Sequence, residues 1–187
     1  MGVDVAGTWW GERKGGVAVF RRPAVRNDLE QVFRAAYPRV VAVAARVLGT
    51  RDEAEDVAQE VFLSFGRSSV PGDEALPWLS VAAAHAALNH LRTGRRRASR
   101  EEAAGGNETF SPDVADAVVA LDERRRVRAA LSRLPRKQAV ALVLRHSGLS
   151  YAEVAAALEL SPASVGTIVR RAESALRKEL DRHASSD

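Results

Sequence analysis

The chain has 187 residues, enough for one large domain or two small ones, and a formal net charge of +4. Its apolar fraction of 46% and charged fraction of 28% are typical of a soluble globular protein and give no indication of a fibre, a membrane span or bulk disorder. The chain has no cysteine, which excludes a disulfide framework, a thiolate metal site and a cysteine nucleophile, and which fits a cytoplasmic location.

The first segment, residues 1–26, lacks the apolar core of about 7–15 residues that defines a secretory signal. It is rich in glycine, arginine and valine, and Trp9 and Trp10 stand side by side in it. We expect a flexible N-terminal tail.

Helical periodicity begins at Asp28 and ends at Gly49, and Pro38 either divides this segment into two short helices or kinks it. Thr50 with Glu53 is a predicted capping box that opens the next helix. The predicted buried residues of the first segment are Leu29, Val32, Phe33, Ala36, Val40, Val43 and Val47. Those of the second helix are Ala54, Val57, Ala58, Val61, Phe62 and Phe65.

The outer side of the second helix is acidic on an otherwise basic protein. Such a side repels DNA and suits a basic protein surface, although a merely solvated face is the commoner explanation of an acidic helix. Both interpretations remain open at this point. The residues that face outward are Asp52, Glu53, Glu55, Asp56, Gln59 and Glu60.

A loop is predicted at residues 66–73, and a further helix from about Pro77 ends in a run of arginines. Clustered cations release counterions condensed on phosphates, so the run predicts a nucleic-acid partner. A second run, Arg124 to Arg126, is equally compatible with DNA contact and with a solvated face. The inward residues of the helix are Trp78, Leu79, Ala82, Ala83, Ala86 and Leu91, and the first run is Arg92, Arg95, Arg96, Arg97 and Arg100.

The periodicity fails after Ala98, where glycine, asparagine, serine and proline accumulate as in a connecting segment. We therefore predict two small helical domains, at residues 27–97 and 118–182, joined by a flexible linker at 98–117 and followed by a short tail at 183–187.

The second block contains the pattern of a helix-turn-helix. A helix is predicted at residues 118–134, stopped by Pro135, and another runs through Val140 and Val143 to Gly148. Beyond it the apolar spacing is that of two short helices crossing over a tight turn, with buried positions at Val154, Ala155, Leu158, Leu160, Val165 and Ile168.

Two helix starts support this interpretation. Ser150 with Glu153 can form a capping box, and Ser161 before Pro162 is an N-cap followed by proline at the first helical position. An ordinary helical hairpin whose leucines and valines merely fill a core is the alternative for this segment taken alone.

No segment alternates apolar and polar residues as a strand does, so the predicted fold is all-α. We predict no catalytic residue, no cofactor and no metal site, and hence no enzyme. The four histidines, His85, His90, His146 and His183, have neither the spacing of a zinc helix nor a serine or acid partner, and no glycine loop could cradle a phosphate.

Three motifs together resemble the extracytoplasmic-function (ECF) group of bacterial RNA polymerase sigma factors. The run from Ala54 to Leu63 is similar to that family's polymerase-binding segment. The helix from Trp78 to Arg92 is similar to its promoter-melting helix, and Leu134-Pro135 with Gly148-Leu-Ser-Tyr-Ala-Glu153 to its C-terminal domain. The motifs occur in the family's order and spacing.

The resemblance implies a four-helix region 2-like domain and a region 4-like helix-turn-helix domain. It implies that Glu53, Glu55, Asp56, Gln59 and Glu60 bind core RNA polymerase, on the clamp coiled coil of its largest subunit, with the flap as a second contact. It implies that the melted -10 strand is held by Trp78, His85, Asn89, His90, Arg92, Arg95, Arg96 and Arg97, with a flipped base received by the loop at residues 66–75. Promoter DNA and, as often in the family, an anti-sigma factor are the further partners, and no membrane is expected.

The -35 element would lie against the last helix. The residues that the resemblance places there are Ser161, Ala163, Ser164, Gly166, Thr167, Arg170 and Arg171. The chain departs from the family here, since Gly166, Thr167 and Ile168 replace the usual basic residues, and Ala84-His85 replaces Arg-Asn in the melting helix. Without an arginine to contact guanine, we expect a weaker or altered -35 readout.

A self-sufficient helix-turn-helix regulator of duplex operators is the alternative function, and it needs a dimer surface or an effector pocket. The acidic helix, the strand-binding helix and the loop of the first block favour the initiation factor.

Overall fold

The computed structural model describes residues 27–103 and 115–184, and these ranges contain helices and no strand, which confirms the all-α prediction. The predicted N-terminal tail and the centre of the predicted linker lie outside the described residues. The helices are α1 Leu29–Leu48, α2 Arg51–Arg67, a 3-10 turn Gly72–Glu74, α3 Ala75–Ala103, α4 Ala115–Arg133, α5 Arg136–His146, α6 Tyr151–Ala157 and α7 Pro162–Ala184.

The first bundle consists of α1, α2 and α3, which pack against one another. All six residues predicted to be buried on α2 are buried. The prediction that Phe33 is buried in the core is wrong, since this residue is 40% exposed. One side of its ring packs on Tyr37 and Phe62, at centroid distances of 4.7 Å and 4.8 Å, while the other side faces solvent.

The two helix boundaries expected around α1 differ in detail. Pro38 lies inside one continuous helix, on its exposed side, where the carbonyl that loses its hydrogen bond can be solvated. Thr50 is the N-cap of α2, but the prediction that it forms a capping box with Glu53 is wrong. The Thr50 hydroxyl donates to the Glu53 carboxylate at 2.6 Å and accepts no backbone N–H.

Helix α3 is longer than predicted at both ends. The 3-10 turn leads directly into it at Ala75, and it continues to Ala103, past the expected linker start at Ala98. Arginine, alanine and glutamate dominate that extension and are among the strongest helix formers, which explains why it stays helical.

The second bundle consists of α4 to α7, and α6 and α7 form the helix-turn-helix. The Ser150 and Glu153 capping box is confirmed, with both reciprocal hydrogen bonds present. Val154 and Val165 are fully buried between the two helices. The pair bends by 98° at the turn, within the range of about 90–120° typical of this motif.

The two bundles contact each other mainly through α3, which packs against α4, α5 and α6 as well as α1 and α2, and α1 also contacts α5. Buried apolar residues of both bundles belong to one continuous cluster. The predicted strand-binding helix therefore lies at the junction of the two bundles.

Candidate functional site

The acidic face of α2, defined here as Asp52, Glu53, Asp56, Gln59 and Glu60, is exposed along the whole helix. Asp56 lies three or four positions from each of the other four residues, so the five share one side of the helix. They form a negatively charged surface that no described helix covers.

Glu55 belongs to the predicted set but differs from the others. It is half-buried, and it accepts a hydrogen bond of 2.7 Å from Arg51 one turn earlier, an interaction that raises the pKa of Arg51. Its carboxylate thus already has a hydrogen-bond partner within the chain. Asp56, Gln59 and Glu60 are better placed for an external partner.

Leu63 extends this side of α2, and sequence reasoning missed it. It lies four residues after Gln59 and three after Glu60, and its side chain is 63% exposed. Helical spacing alone could have placed it beside the acidic residues. An exposed apolar side chain bordered by polar ones is compatible with the apolar core and polar rim of protein interfaces.

The predicted strand-binding residues of α3 fall into two groups. Asn89 is half-buried, and His90 is exposed, with its Nε2 3.8 Å from a Glu60 carboxylate oxygen. Trp78 is half-buried, and its ring packs on Phe65 with a centroid distance of 5.9 Å. These three side chains remain at least partly accessible on the first bundle.

His85 and Arg92 form the second group and lie at the junction. The Arg92 guanidinium donates to the backbone carbonyls of Ser132 at 3.1 Å and Leu134 at 2.9 Å. His85 Nδ1 accepts a hydrogen bond of 2.8 Å from Arg136. Burial, followed by the positive charges of Arg136 and Arg92, lowers the pKa of His85 to about 4, so the imidazole is neutral near pH 7.

The remaining arginines are only partly positioned. Arg95, Arg96 and Arg97 lie on α3, but their side chains are outside the described part of the chain. In the second run, Arg124 and Arg125 are exposed on α4, so both interpretations of that run remain open.

The start of α7 presents small polar groups. Ser161 caps the helix by accepting the N–H of Ser164 at 3.2 Å, and the two hydroxyls are 2.7 Å apart. The Thr167 hydroxyl donates to the Ala163 carbonyl at 3.3 Å. These hydroxyls are thus engaged in hydrogen bonds within the first turns of α7.

Arg170 and Arg171 are exposed in the middle of α7, while Gly166 and Ile168 are half-buried. Exposed arginines beyond the first turns of such a helix are suited to phosphate contacts, which fix position rather than sequence.

Gly166 gives a testable consequence for stability. A Cβ added there would meet no atom within 4 Å, and the residue lies inside α7. Gly166→Ala is therefore expected to raise the free energy of unfolding by about 0.5–1 kcal/mol, through helix propensity and a less flexible unfolded chain. Urea denaturation followed by circular dichroism measures this.

Gly148→Ala is the matched control, because its added Cβ also has open space but its φ is +92°. That change should destabilise the protein, since alanine is strained in the left-handed region. A neutral or destabilising Gly166→Ala would contradict the assignment of this residue to an unstrained helix interior.

Across residues 27–103 and 115–184, no group of three or more histidine or acidic side chains is placed to hold a metal ion. In the same ranges, no single helix is long and apolar enough to cross a membrane.

Two family models match the chain. Residues 32–97 match the model described as sigma-70 region 2, and residues 124–176 match the one described as sigma-70, region 4. The first match contains α2 and most of α3, and the second contains α6 and most of α7.

Curated relatives match over most of the chain. The ECF RNA polymerase sigma factor SigK of Mycolicibacterium vanbaalenii is 33% identical over 172 residues, which are 86% of this chain and 87% of that protein. The RNA polymerase sigma factor CarQ of Myxococcus xanthus is 33% identical over 164 residues, covering 84% of this chain and 91% of that protein. Among solved structures, the sigma factor RpoE in complex with the anti-sigma factor NepR from Bartonella quintana matches with a TM-score of 0.47 and 24% identity, over 83% of this chain and 98% of that one.

Proposed function

Because this chain belongs to the sigma-70 family of RNA polymerase sigma factors, within its extracytoplasmic-function group, we propose that the acidic face of α2 is its docking surface for core RNA polymerase. The chain directs promoter-specific initiation of transcription.

The observation that carries the docking proposal is the exposure of Asp56, Gln59, Glu60 and Leu63 along one side of α2. A negative surface with an apolar end is complementary to a basic helical partner, and the clamp coiled coil of the largest subunit is the proposed one. Glu53 and Glu55, in the first turns of α2, are proposed to contribute to the same docking surface. The flap is the proposed contact of the second bundle.

Helix α3 is the proposed binding element for the melted -10 strand. Aromatic and amide side chains can stack on and hydrogen-bond to unpaired bases, and arginines can follow the phosphates. Trp78, Asn89 and His90 are the proposed base contacts. The connection between α2 and α3 is the proposed place for a flipped base, and it is shorter than the predicted loop at residues 66–75 because α2 runs to Arg67 and α3 begins at Ala75. His85 and the phosphate contacts Arg92, Arg95, Arg96 and Arg97 complete the proposed set.

Helix α7 is the proposed reader of the -35 element. Its first turns, with Ser161, Ala163, Ser164, Gly166 and Thr167, would face the major groove, and Arg170 and Arg171 would bind phosphates. Because serine and threonine discriminate poorly among bases, we expect little dependence on guanine at this element.

The proposed site of action is the cytoplasm, where the chain would bind polymerase and promoter DNA and contribute no catalytic step. An anti-sigma factor is a further proposed partner, since the family often has one.

Transcription in vitro from a random promoter pool, with and without the chain added to core polymerase, tests the function. A selected promoter population that requires the chain is the expected result. A self-sufficient regulator would instead fail to co-elute with core polymerase in gel filtration and would bind duplex DNA alone.

A further inference from the structure

A groove of about 430 Å³ lies between the N-terminal half of α1, the 3-10 turn and the start of α3. Its volume is within the range of about 300–1,000 Å³ that is typical of sites for small ligands. The apolar part of its lining includes Val32, Ala35 and Leu76. Because Ala35 and Leu76 are exposed, the groove is open to solvent.

The charged groups of this groove are all acidic. Asp28 and Asp73 line it, and no lysine, arginine or histidine does so among the described residues. Gly72 allows the turn to approach α1 closely, since a Cβ there would lie 2.7 Å from Oδ2 of Asp28. Carboxylates accept hydrogen bonds and repel phosphates, so a nucleic acid is a poor occupant. The groove suits an apolar group that carries a hydrogen-bond donor and has positive charge beside it.

Trp9 and Trp10 have this chemistry, and no function assigned above uses them. An indole is a large apolar group whose Nε1–H only donates, so its burial is favourable where an acceptor is available. Residues 1–26 contain five basic and two acidic side chains, and Arg13 and Lys14 follow the tryptophans closely. The segment is thus complementary to the groove in polarity and in charge.

The location of the groove favours an occupant from the same chain. Asp28, one of the lining residues, is the residue directly before α1, and Trp10 precedes it by 18 residues. A segment of that length spans up to about 60 Å, whereas the groove extends only about 12 Å along α1. Covalent attachment also gives a tethered group an effective concentration in the millimolar range, so a weak intrinsic affinity is sufficient.

We propose that Trp9 and Trp10 dock in this groove, with an indole N–H donating to the carboxylate of Asp28 or Asp73, and that the docked pair braces the 3-10 turn. The turn belongs to the connection between α2 and α3, which is the proposed place for a flipped base. The bracing role therefore rests on the proposed function, whereas the docking does not.

Tryptophan fluorescence of the full chain tests the docking. The chain has three tryptophans, so Trp78→Phe leaves emission from Trp9 and Trp10 alone. In this background the pair should emit at shorter wavelength, and be quenched less by acrylamide, than in the urea-unfolded chain. Leu76→Glu places a charge in the groove and should bring both properties close to those of the unfolded chain. Leu63→Glu is the matched control, since Leu63 is an exposed leucine of the same bundle outside the groove.

Gly72→Ala is a second groove variant, whose Cβ displaces the Asp28 carboxylate without adding a charge. It should also shift the emission to longer wavelength, and circular dichroism verifies that the helices of both groove variants are retained. Emission typical of exposed indoles in the Trp78→Phe protein, or an equal change in the groove variants and the control, would overturn the docking. A shift that depends on protein concentration would also overturn it, in favour of docking on a second copy.

Trp9→Ala with Trp10→Ala, in the otherwise unchanged chain, tests the bracing role in transcription in vitro. Fixing the backbone of one turn residue costs about a factor of ten in an equilibrium, so transcript yield should fall by about tenfold. Co-elution with core polymerase should stay at the parent level, because the acidic face of α2 is unaltered. Docking without any change in transcription would refute the bracing, and loss of co-elution would show that the pair binds polymerase instead. Failure of the proposed function would appear separately, as absence of transcription by the parent protein.

Discussion

Reversing two charges on the acidic face, Asp56→Arg with Glu60→Arg, is expected to abolish co-elution with core polymerase and with it promoter-directed transcription. Like charges facing a basic partner, plus the loss of attraction, cost on the order of 2 kcal/mol or more per residue at an interface centre. The pair should therefore weaken binding by about a thousandfold. Gel filtration with core enzyme and transcription in vitro are the two measurements.

The structure indicates these two residues in preference to Glu55, whose carboxylate is half-buried against Arg51. Reversing the charge of Glu55 would also disturb α2, so a loss of polymerase binding could then result from destabilisation of the helix. Asp56 and Glu60 lie one turn apart on the exposed side, where a substitution changes charge with little change in packing.

Asp122→Arg with Glu123→Arg is the matched control, since it reverses the same number of exposed carboxylates on α4. It should leave co-elution and transcription near the parent level. If the α2 pair transcribed as well as this control, the acidic face would be only a solvated helix surface and the docking proposal would be wrong.

Local patterns predicted the helices well where neighbouring residues decide the outcome. The buried side of α2 was predictable because apolar residues at helical spacing dominate that segment, and the Ser150 box because a cap depends on residues three apart. Thr50 has the same sequence signature but a different hydrogen bond, because its hydroxyl donates to the Glu53 carboxylate. The capping-box signature therefore predicts which two residues interact, but it does not predict which of their groups donates the hydrogen bond.

Contacts between the bundles were beyond sequence reasoning. The hydrogen bonds of Arg128, Arg136 and Arg92 join residues that are 80, 51 and 40–42 positions apart in the chain. No periodicity or motif relates such positions, and an arginine run is compatible with DNA, solvent or a helix end. Charge clustering therefore predicted a polyanion partner for Arg92, and only the packing of α3 on α4 revealed its carbonyl partners.

Mildly acidic pH is expected to lower the free energy of unfolding, because His85 is protonated more readily in the unfolded chain than in the folded one. Burial and the charges of Arg136 and Arg92 lower the pKa of His85 from its ordinary value of 6.5 to about 4 in the folded chain. Between these values the unfolded chain binds a proton that the folded chain does not, so stability is retained above this window and falls as the pH drops through it. From about pH 7.5 to about pH 5, the loss attributable to His85 is about 2 kcal/mol.

His85→Gln separates this contribution from that of the carboxylates, because glutamine can accept the Arg136 hydrogen bond but does not titrate. Urea denaturation at both pH values should show a stability loss about 2 kcal/mol smaller in the variant than in the parent. The side chains facing His85 from α5 and α3, Arg136 and Arg92, both oppose its protonation. Equal losses in the two proteins would mean that the folded chain accommodates a charged imidazole between two guanidinium groups, and the junction would then have to be open to water.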